Sequence, residues 1–140
     1  MRNFTRFYID GEWVAPAESR TLDVVNPATE AVAGVISLGS RTDVDRAVAA
    51  AQRAFESYSR TTREERMALL EKIIAVYKRR MDDMAQAISE EMGAPLATIA
   101  RPQQAPAGVG HFMVALGVLK DFEFEWTKGK TQVVSEPVGV

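Results

Sequence analysis

Short runs of apolar residues, separated by turn-forming residues, predict strands in the first forty positions. Residues 6–9 and Glu12–Val14 flank Asp10-Gly11, a pair that accepts the positive φ angles of a type I′ turn, so a hairpin is predicted here. The segment Thr21–Val25 is apolar and β-branched, which favours a strand. A further strand is predicted over residues 32–38.

From residue 42 onward, apolar residues recur at steps of three and four, which predicts amphipathic helices. The first helix is predicted to begin at Thr42, whose hydroxyl can cap the first turn while Asp45 follows three residues later. Thr62 and Glu65 form a better capping box, which opens a longer helix. The apolar residues of this longer helix share one face: Met67, Leu70, Ile74, Tyr77, Met81, Met84 and Ile88.

The second predicted helix is unusually long, because residues 63–92 would span about 45 Å at roughly 1.5 Å per residue. A break is predicted at residues 80–83, where the charges change from basic to acidic. Gly93 and Pro95 are predicted to end the helix. The apolar stripe over residues 67–88 is most simply a core face. The alternative is a free-standing interaction module that binds a partner helix through this stripe.

The segment 102–119 contains no Lys, Arg, Asp or Glu and has the length of a membrane span. Pro102, Pro106, two glutamines and three glycines dilute its apolar content below what a span requires. A buried or interface helix from Pro106 onward is predicted instead, and no membrane partner is expected. His111 is the single histidine, and we expect it to be a packed side chain with a backbone partner.

Composition narrows the possible functions of the chain. Its 140 residues include 17 Lys and Arg against 19 Asp and Glu, which is typical of one soluble domain. There is no basic block, so no nucleic-acid partner is expected. There is no cysteine, so a disulfide, a thiolate metal site and a cysteine nucleophile are excluded within these residues. The first six residues lack the apolar core of a signal peptide, so a cytoplasmic protein is expected.

Two places in the chain could carry chemistry. Gly108-Val109-Gly110 begins like a dinucleotide-binding turn, but Met113 stands where the pattern needs its third glycine and no strand precedes it. Glu90 and Glu91 lie in the last turn of the second predicted helix, where the helix dipole disfavours negative charge. They are either a solvated surface pair or the partners of a cation.

Five motifs, taken in order and with their spacing, resemble the N-terminal part of the NAD(P)-dependent aldehyde dehydrogenase superfamily. They are Tyr8-Ile9-Asp10-Gly11-Glu12-Trp13, Val25-Asn26-Pro27-Ala28-Thr29, Asp43-Val44-Asp45-Arg46-Ala47-Val48-Ala49-Ala50-Ala51, Glu65-Arg66 and Glu136-Pro137-Val138-Gly139-Val140. The resemblance covers essentially the whole chain. The final residues lie inside an apolar run with no helix stop, so we expect a truncation or a domain cut.

The resemblance implies an α/β fold: the N-terminal part of an aldehyde dehydrogenase-like fold, with a β-hairpin, strands and long helices flanking a Rossmann-like domain. It implies that residues 1–125 begin the cofactor-binding domain and that residues 126–140 begin a β-arm, which pairs subunits in a homodimer or homotetramer. The implied reaction oxidises an aldehyde to a carboxylic acid with NAD or NADP. Segment 102–119 matches a helix near the aldehyde tunnel, which Pro102 and Pro106 are expected to interrupt. The cysteine nucleophile, the glutamate base and the glycine-rich cofactor turn are expected beyond the position matching Val140, so no catalytic or cofactor-binding residue is expected here.

The same resemblance implies a site for a monovalent cation such as Na+ or K+. Its ligands would be Glu91, at the end of the second long helix, and the backbone carbonyls of Val24 and Val25, just before the Asn-Pro turn. Aspartate is the usual residue in the family, and Glu91 is longer by one methylene. Hard cations take oxygen ligands. A bound cation would also relieve the conflict between the Glu90-Glu91 pair and the helix dipole.

Overall fold

The first forty residues form a three-stranded sheet and a separate hairpin in the computed structural model, which describes residues 2–139. In the sheet, β1 (Arg2–Phe4) runs parallel to the central β5 (Val32–Ser37), and β4 (Thr21–Val25) pairs antiparallel with the other edge of β5. The hairpin consists of β2 (Phe7–Ile9) and β3 (Glu12–Val14). The three predicted strand regions are therefore confirmed.

The predicted turn of the hairpin is also confirmed. Asp10 and Gly11 have φ angles of 57° and 80°, which are the two positive values that a type I′ turn requires. The side chain of Asp10 accepts a hydrogen bond of 2.8 Å from Nη2 of Arg53. Because Arg53 lies on the first helix, α1 (Arg41–Tyr58), this ion pair joins the hairpin tip to α1.

The prediction that Thr42 caps α1 is wrong by two residues, because Ser40 is the capping residue and the helix begins at Arg41. The Ser40 hydroxyl accepts the Asp43 amide, and Oδ2 of Asp43 accepts the Ser40 amide at 2.9 Å, which makes a complete capping box. The other oxygen of Asp43 accepts the amide of Ala17 at 2.9 Å. This long-range bond favours Ser40 and Asp43 over the pair Thr42 and Asp45, which has the same spacing.

The long helical region is divided in two, as its charge pattern predicts. The second helix, α2 (Arg63–Arg79), begins with the predicted capping box of Thr62, and the third is α3 (Met81–Met92). Between them, Arg80 leaves helical geometry with φ −108° and ψ 22°. The predicted end of α3 is confirmed at Gly93, which adopts the left-handed conformation with φ 71°.

The segment after α3 is helical in two different ways. Residues Leu96–Gln104 form a π-helical segment, and the fourth α-helix, α4 (Ala105–Asp121), follows without a gap. Pro102 lies inside the π-helical segment, whereas Pro106 lies in the first turn of α4. The chain therefore stays helical past both prolines, with π-helical geometry before Ala105 and α-helical geometry after it. No helix within residues 2–139 is both long enough and apolar enough to cross a membrane.

The best-packed part of the chain lies where α3, the π-helical segment and α4 meet. Ala85, Ala100 and Ala105 are fully buried there, one from each element. Met81 and Ile88 pack against these alanines, so this part of the predicted apolar stripe faces the protein's own core. This packing disfavours the alternative in which the whole stripe is free to bind a partner helix.

Helix α4 presents one face to α2 and the other to solvent. Tyr77 of α2 packs on Phe112 of α4 with the ring centroids 6.2 Å apart. A Cβ atom at Gly108 would overlap the hydroxyl of Tyr77, so glycine is what allows the two helices to approach. His111 lies on the exposed face of α4, and the expectation that it is a packed side chain is wrong. The face that α4 buries includes Val109, two positions before it along the helix.

The last described elements are two strands, β6 (Glu125–Lys128) and β7 (Thr131–Val134), which form an antiparallel hairpin. The turn between them lies around Gly129, which has φ 62°. The strand β6 was not predicted, although Thr and Trp in its centre have high β-propensity. The amide of Ser135 donates to the carbonyl of Phe124 at 2.8 Å and closes the base of this hairpin.

Candidate cation site and the surfaces around it

The C-terminal end of α3 lies against the turn that follows β4. A Cβ atom placed on Gly93 would be 3.0 Å from Cγ of Pro27 and 3.2 Å from the backbone nitrogen of Ala28. The turn itself is closed by the side chain of Asn26, which accepts the Ala28 amide at 2.8 Å. These contacts bring the end of the long helical region beside the Asn-Pro turn, as the predicted cation site requires.

A cavity of about 270 Å³ opens between this helix end and the sheet. Its walls come from β1, β4, β5 and α3, and the lining residues are Phe4, Val24, Ala33, Gly34, Ile36, Glu90 and Glu91. Two of the three predicted ligand positions, Val24 and Glu91, therefore share one cavity. Val25 is the neighbouring residue on β4 and is half exposed.

The strand pairing is irregular at the predicted carbonyl ligands. Val24 pairs with Gly34, whereas Val25 pairs with Val32, so the register skips Ala33. A β-bulge of this kind leaves the extra residue outside the ladder and twists the strand locally. Bulges are also common beside functional sites, where they change the direction of a group. The irregularity lies at the cavity and not elsewhere along β4 and β5.

The electrostatics of the helix end favour a positive charge. The last turn of α3 contains no basic residue, and the negative end of the helix dipole adds to the charges of Glu90 and Glu91. Glu90 is half-buried and accepts a hydrogen bond of 2.8 Å from Nε2 of Gln86, whereas Glu91 is exposed. Among the residues that the structure describes, no three His, Cys, Asp or Glu side chains cluster as metal ligands. Any cation here would depend on one or two carboxylates together with backbone oxygens.

The glycine pair that resembles the start of a cofactor turn has a structural role. Gly108 and Gly110 lie inside α4, and Gly108 faces Tyr77 of the neighbouring helix. A phosphate-binding turn needs glycines between a strand and the first turn of a helix. These two glycines therefore do not form a phosphate-binding turn.

A larger groove, of about 970 Å³, lies between β1 and the helices, and it was not predicted from the sequence. Phe4, Val76, Tyr77 and Phe112 contribute its apolar walls. Two ion pairs stand at its rim, with nitrogen–oxygen distances of 2.9 Å each: Arg80 with Asp83, and Arg101 with Asp82. An apolar groove of this size with a charged rim is typical of a surface that other protein segments cover.

The total exposed surface is large for a chain of this length. It measures 10259 Å², whereas a compact monomer of 140 residues exposes about 7,200 Å². Among the described residues, no large side chain is fully buried, and the apolar core consists of Ala50, Ile74, Ala85, Ala100, Ala105 and Val109. A surface this large, over an apolar core this small, is typical of a protein segment that packs against other protein segments.

Comparison with known proteins accounts for this open surface. A sequence model described as "Aldehyde dehydrogenase family" matches residues 13–140. A 3-succinoylsemialdehyde-pyridine dehydrogenase from a Pseudomonas species is 51% identical over 140 residues, which cover 100% of this chain and 29% of that protein. The chain thus spans less than a third of the length of the curated relatives that it matches.

Solved structures give the same result for the fold. An aldehyde dehydrogenase from Bartonella henselae superimposes with a TM-score of 0.88 at 39% identity, over 93% of this chain and 27% of that one. A mutant of aldehyde dehydrogenase C from Pseudomonas syringae, solved with NAD+ and octanal, gives 0.85 at 43% identity, over 91% of this chain and 26% of that one. The α/β fold described here is the N-terminal part of the fold of these enzymes. The chain belongs to the aldehyde dehydrogenase family.

Proposed function

We propose that these residues are the N-terminal scaffold of an NAD-dependent aldehyde dehydrogenase, which oxidises an aldehyde to a carboxylic acid. The observation that carries the proposal is the match of the whole chain, in sequence and in fold, to one end of such enzymes. The structural relatives from Pseudomonas syringae and Mycobacterium tuberculosis were solved with NAD+, which favours NAD over NADP. The aldehyde in the former structure, octanal, supports a small-molecule aldehyde as the substrate. A cytoplasmic location is part of this proposal.

In this proposal the chain forms part of the structural scaffold and contributes contacts between subunits, but it supplies no group that reacts with the aldehyde. It contains no cysteine that could form the covalent thiohemiacetal, and its glycine pair lies within a helix. NAD+, when bound, accepts the hydride of the aldehyde. Because the glycine pair of this chain lies within α4, we assign cofactor binding to the part of the relatives that this chain does not span.

The test compares the 140-residue chain with the full-length protein in an assay of NADH absorbance. We expect aldehyde-dependent NADH formation by the full-length protein and none by the chain alone, since the chain has no thiol. NADH formation by the pure chain would contradict the assignment. A full-length protein that is folded and inactive with aliphatic, aromatic and semialdehyde substrates would contradict the proposed reaction.

We further propose the domain division and the assembly that the resemblance implies. Residues 1–125 begin the cofactor-binding domain, and residues 126–140 begin the arm that pairs subunits in a homodimer or homotetramer. The exposed β6–β7 hairpin supports this division, because an unpaired strand edge is a template for pairing with another chain. Removal of residues 126–134 from the full-length protein should yield smaller assemblies in sedimentation analysis. An assembly of unchanged size would contradict the proposal that these residues pair subunits.

The cation site is a separate proposal, with Glu91 and the backbone carbonyls of Val24 and Val25 as ligands of Na+ or K+. Its support is the cavity shared by Val24 and Glu91 and the irregular pairing beside it. We expect the full-length protein to melt at a higher temperature in K+ or Na+ than in tetramethylammonium at equal ionic strength. Glu91→Gln should remove most of this difference, whereas Glu56→Gln, an exposed carboxylate on α1, should retain it. An equal rise in melting temperature in the wild type, Glu91→Gln and Glu56→Gln would contradict the proposed cation site.

A further inference from the structure

One guanidinium group joins three parts of the chain near the β6–β7 hairpin. Arg63 is the first residue of α2, and its Nη1 donates a 2.7 Å hydrogen bond to the carbonyl of Lys120. Its Nη2 donates to the carbonyl of Phe122. The same guanidinium lies over the ring of Phe124, 5.3 Å from the ring centroid. Arg63 therefore contacts the end of α4, the residue that follows it and the residue before β6.

These contacts supply what the end of α4 lacks. The last carbonyls of an α-helix have no partners within the helix, and a left-handed glycine after the helix often satisfies them. Here the residue after α4 is Phe122, in an extended conformation with φ −68° and ψ 124°. The planar fork of Arg63 donates to two carbonyls at once, which a lysine ammonium cannot do with the same geometry.

The three residues from Phe122 to Phe124 are also the base of the hairpin. The rings of Phe122 and Phe124 meet edge to face with centroids 4.9 Å apart. The carbonyl of Phe124 accepts the amide of Ser135, which follows β7. Phe124 thus precedes β6 and bonds to the residue that follows β7, and the guanidinium of Arg63 contacts its ring.

A second arginine, Arg66, fixes the link between α1 and α2, which directly precedes Arg63. Nε of Arg66 donates to the hydroxyl of Thr61 at 2.8 Å, and its Nη2 donates to the carbonyl of Ser59 at 3.2 Å. Both acceptors belong to the short link between α1 and α2. A cavity of about 240 Å³ between this link and the hairpin base is lined by Ser59, Thr61, Arg63, Arg66, Phe124, Ser135 and Pro137. Two arginines therefore bond to the segments at the base of the hairpin: Arg63 to the end of α4, and Arg66 to the link between α1 and α2.

We propose that Arg63 is the positioning residue that sets the direction in which the β6–β7 hairpin leaves α4, and hence how this hairpin meets a second copy of the chain. The second half of this inference rests on the proposed role of the hairpin as an assembly arm. The first half does not, since it concerns contacts within one chain.

The test uses the full-length protein with Arg63→Met, which retains an apolar stem, and Arg63→Lys, which retains the charge. Arg53→Met is the matched control, because Arg53 is likewise a helix arginine whose guanidinium makes a 2.8 Å bond to a distant residue. Hydrogen exchange of the Ser135 amide and of the strand amides reports on the hairpin. Sedimentation reports on assembly.

Loss of bonds from a charged donor should speed exchange in the hairpin about tenfold or more in Arg63→Met, less in Arg63→Lys and not at all in Arg53→Met. We expect the subunit dissociation constant of Arg63→Met to rise in parallel. Unchanged hairpin exchange in both Arg63 variants would overturn the positioning role. Faster exchange with unchanged assembly would support that role and instead contradict the hairpin as an assembly arm, so the two failures are distinguishable.

Discussion

The two faces of α4 differ strongly in their exposure to solvent. On the inner face, Val109 is 6% exposed and Gly108 gives Tyr77 room to approach. On the outer face, Val114 is 66% exposed and Val118 is 57% exposed, although both are as apolar as Val109. Hydrophobicity alone therefore does not decide which side of this helix is buried. A face of α4 is buried only where another segment of the protein packs against it.

The same contrast extends across the chain. The alanine cluster of α3, the π-helical segment and α4 is closed, whereas the sheet exposes Leu22, Val25 and Val32. Apolar surface of this extent is uncommon on a monomer and marks contact sites. In a family whose members are several times longer than this chain, such surfaces are expected to meet the rest of the fold.

The largest effect that we predict is association of the isolated chain. Its sheet has open edges at β1 and β4 and exposed apolar side chains, and both features favour pairing between chains. We expect light scattering of the 140-residue chain to show polydisperse species, and the full-length protein to show one defined assembly. A monodisperse monomer with a cooperative melt would show that the open surfaces are tolerated in water.

Overpacking of the closed region should have the next largest effect. Ala85 is fully buried between α3, the π-helical segment and α4, so Ala85→Leu must push these elements apart. The expected loss is about 1–3 kcal/mol of unfolding free energy, measured by denaturant melts of the isolated chain at a concentration low enough to prevent association. Ala107→Leu on the exposed side of α4 is a control for helix propensity. Equal effects of the two changes would contradict the closed packing.

A pH-dependent contact joins the first helix to the loop before β4. The amides of Ser40 and Ala17 donate to Asp43 and hold the pKa of its carboxyl below its ordinary value. A group with a lowered folded pKa stabilises the fold above its unfolded pKa, and this contribution is lost as the pH falls through the folded pKa.

We therefore expect the Ala17 amide to be protected from hydrogen exchange at neutral pH and to lose protection below about pH 4, near the ordinary pKa of aspartate and downward. In Asp43→Asn, protection should be lower at neutral pH and independent of pH over this range. The Ala28 amide, which donates to the neutral side chain of Asn26, is the control. A wild-type profile parallel to that of Asp43→Asn would contradict the role of the carboxylate.

Sequence reasoning was reliable where local chemistry decides the structure. The Asp10-Gly11 turn, the capping box at Thr62 and the stop at Gly93 depend on residues within a few positions of each other, and all three are confirmed. The break at Arg80 was visible because the charge pattern changes there.

Sequence reasoning was unreliable where a residue distant in the chain decides the local structure. The choice of Ser40 over Thr42 depends on the bond from Asp43 to Ala17, which lies 26 residues away. The exposure of His111 depends on which face of α4 packs against α2. For the cation site, sequence likeness indicated the residues, but the shared cavity of Val24 and Glu91 is visible only in three dimensions.

The last prediction tests the two faces of α4 directly. Val114→Thr keeps the shape of the side chain and adds one hydroxyl. In the isolated chain, at a concentration low enough to prevent association, the side chain faces water, so the change should alter the unfolding free energy by less than about 0.5 kcal/mol. In the full-length protein, a covered Val114 would bring the hydroxyl into an apolar contact and cost about 1–3 kcal/mol. Val109→Thr, on the inner face, should be destabilising by a similar amount in both proteins. If Val114→Thr is equally neutral in both, the outer face of α4 remains exposed in the complete enzyme, and its apolar residues need a partner outside the chain.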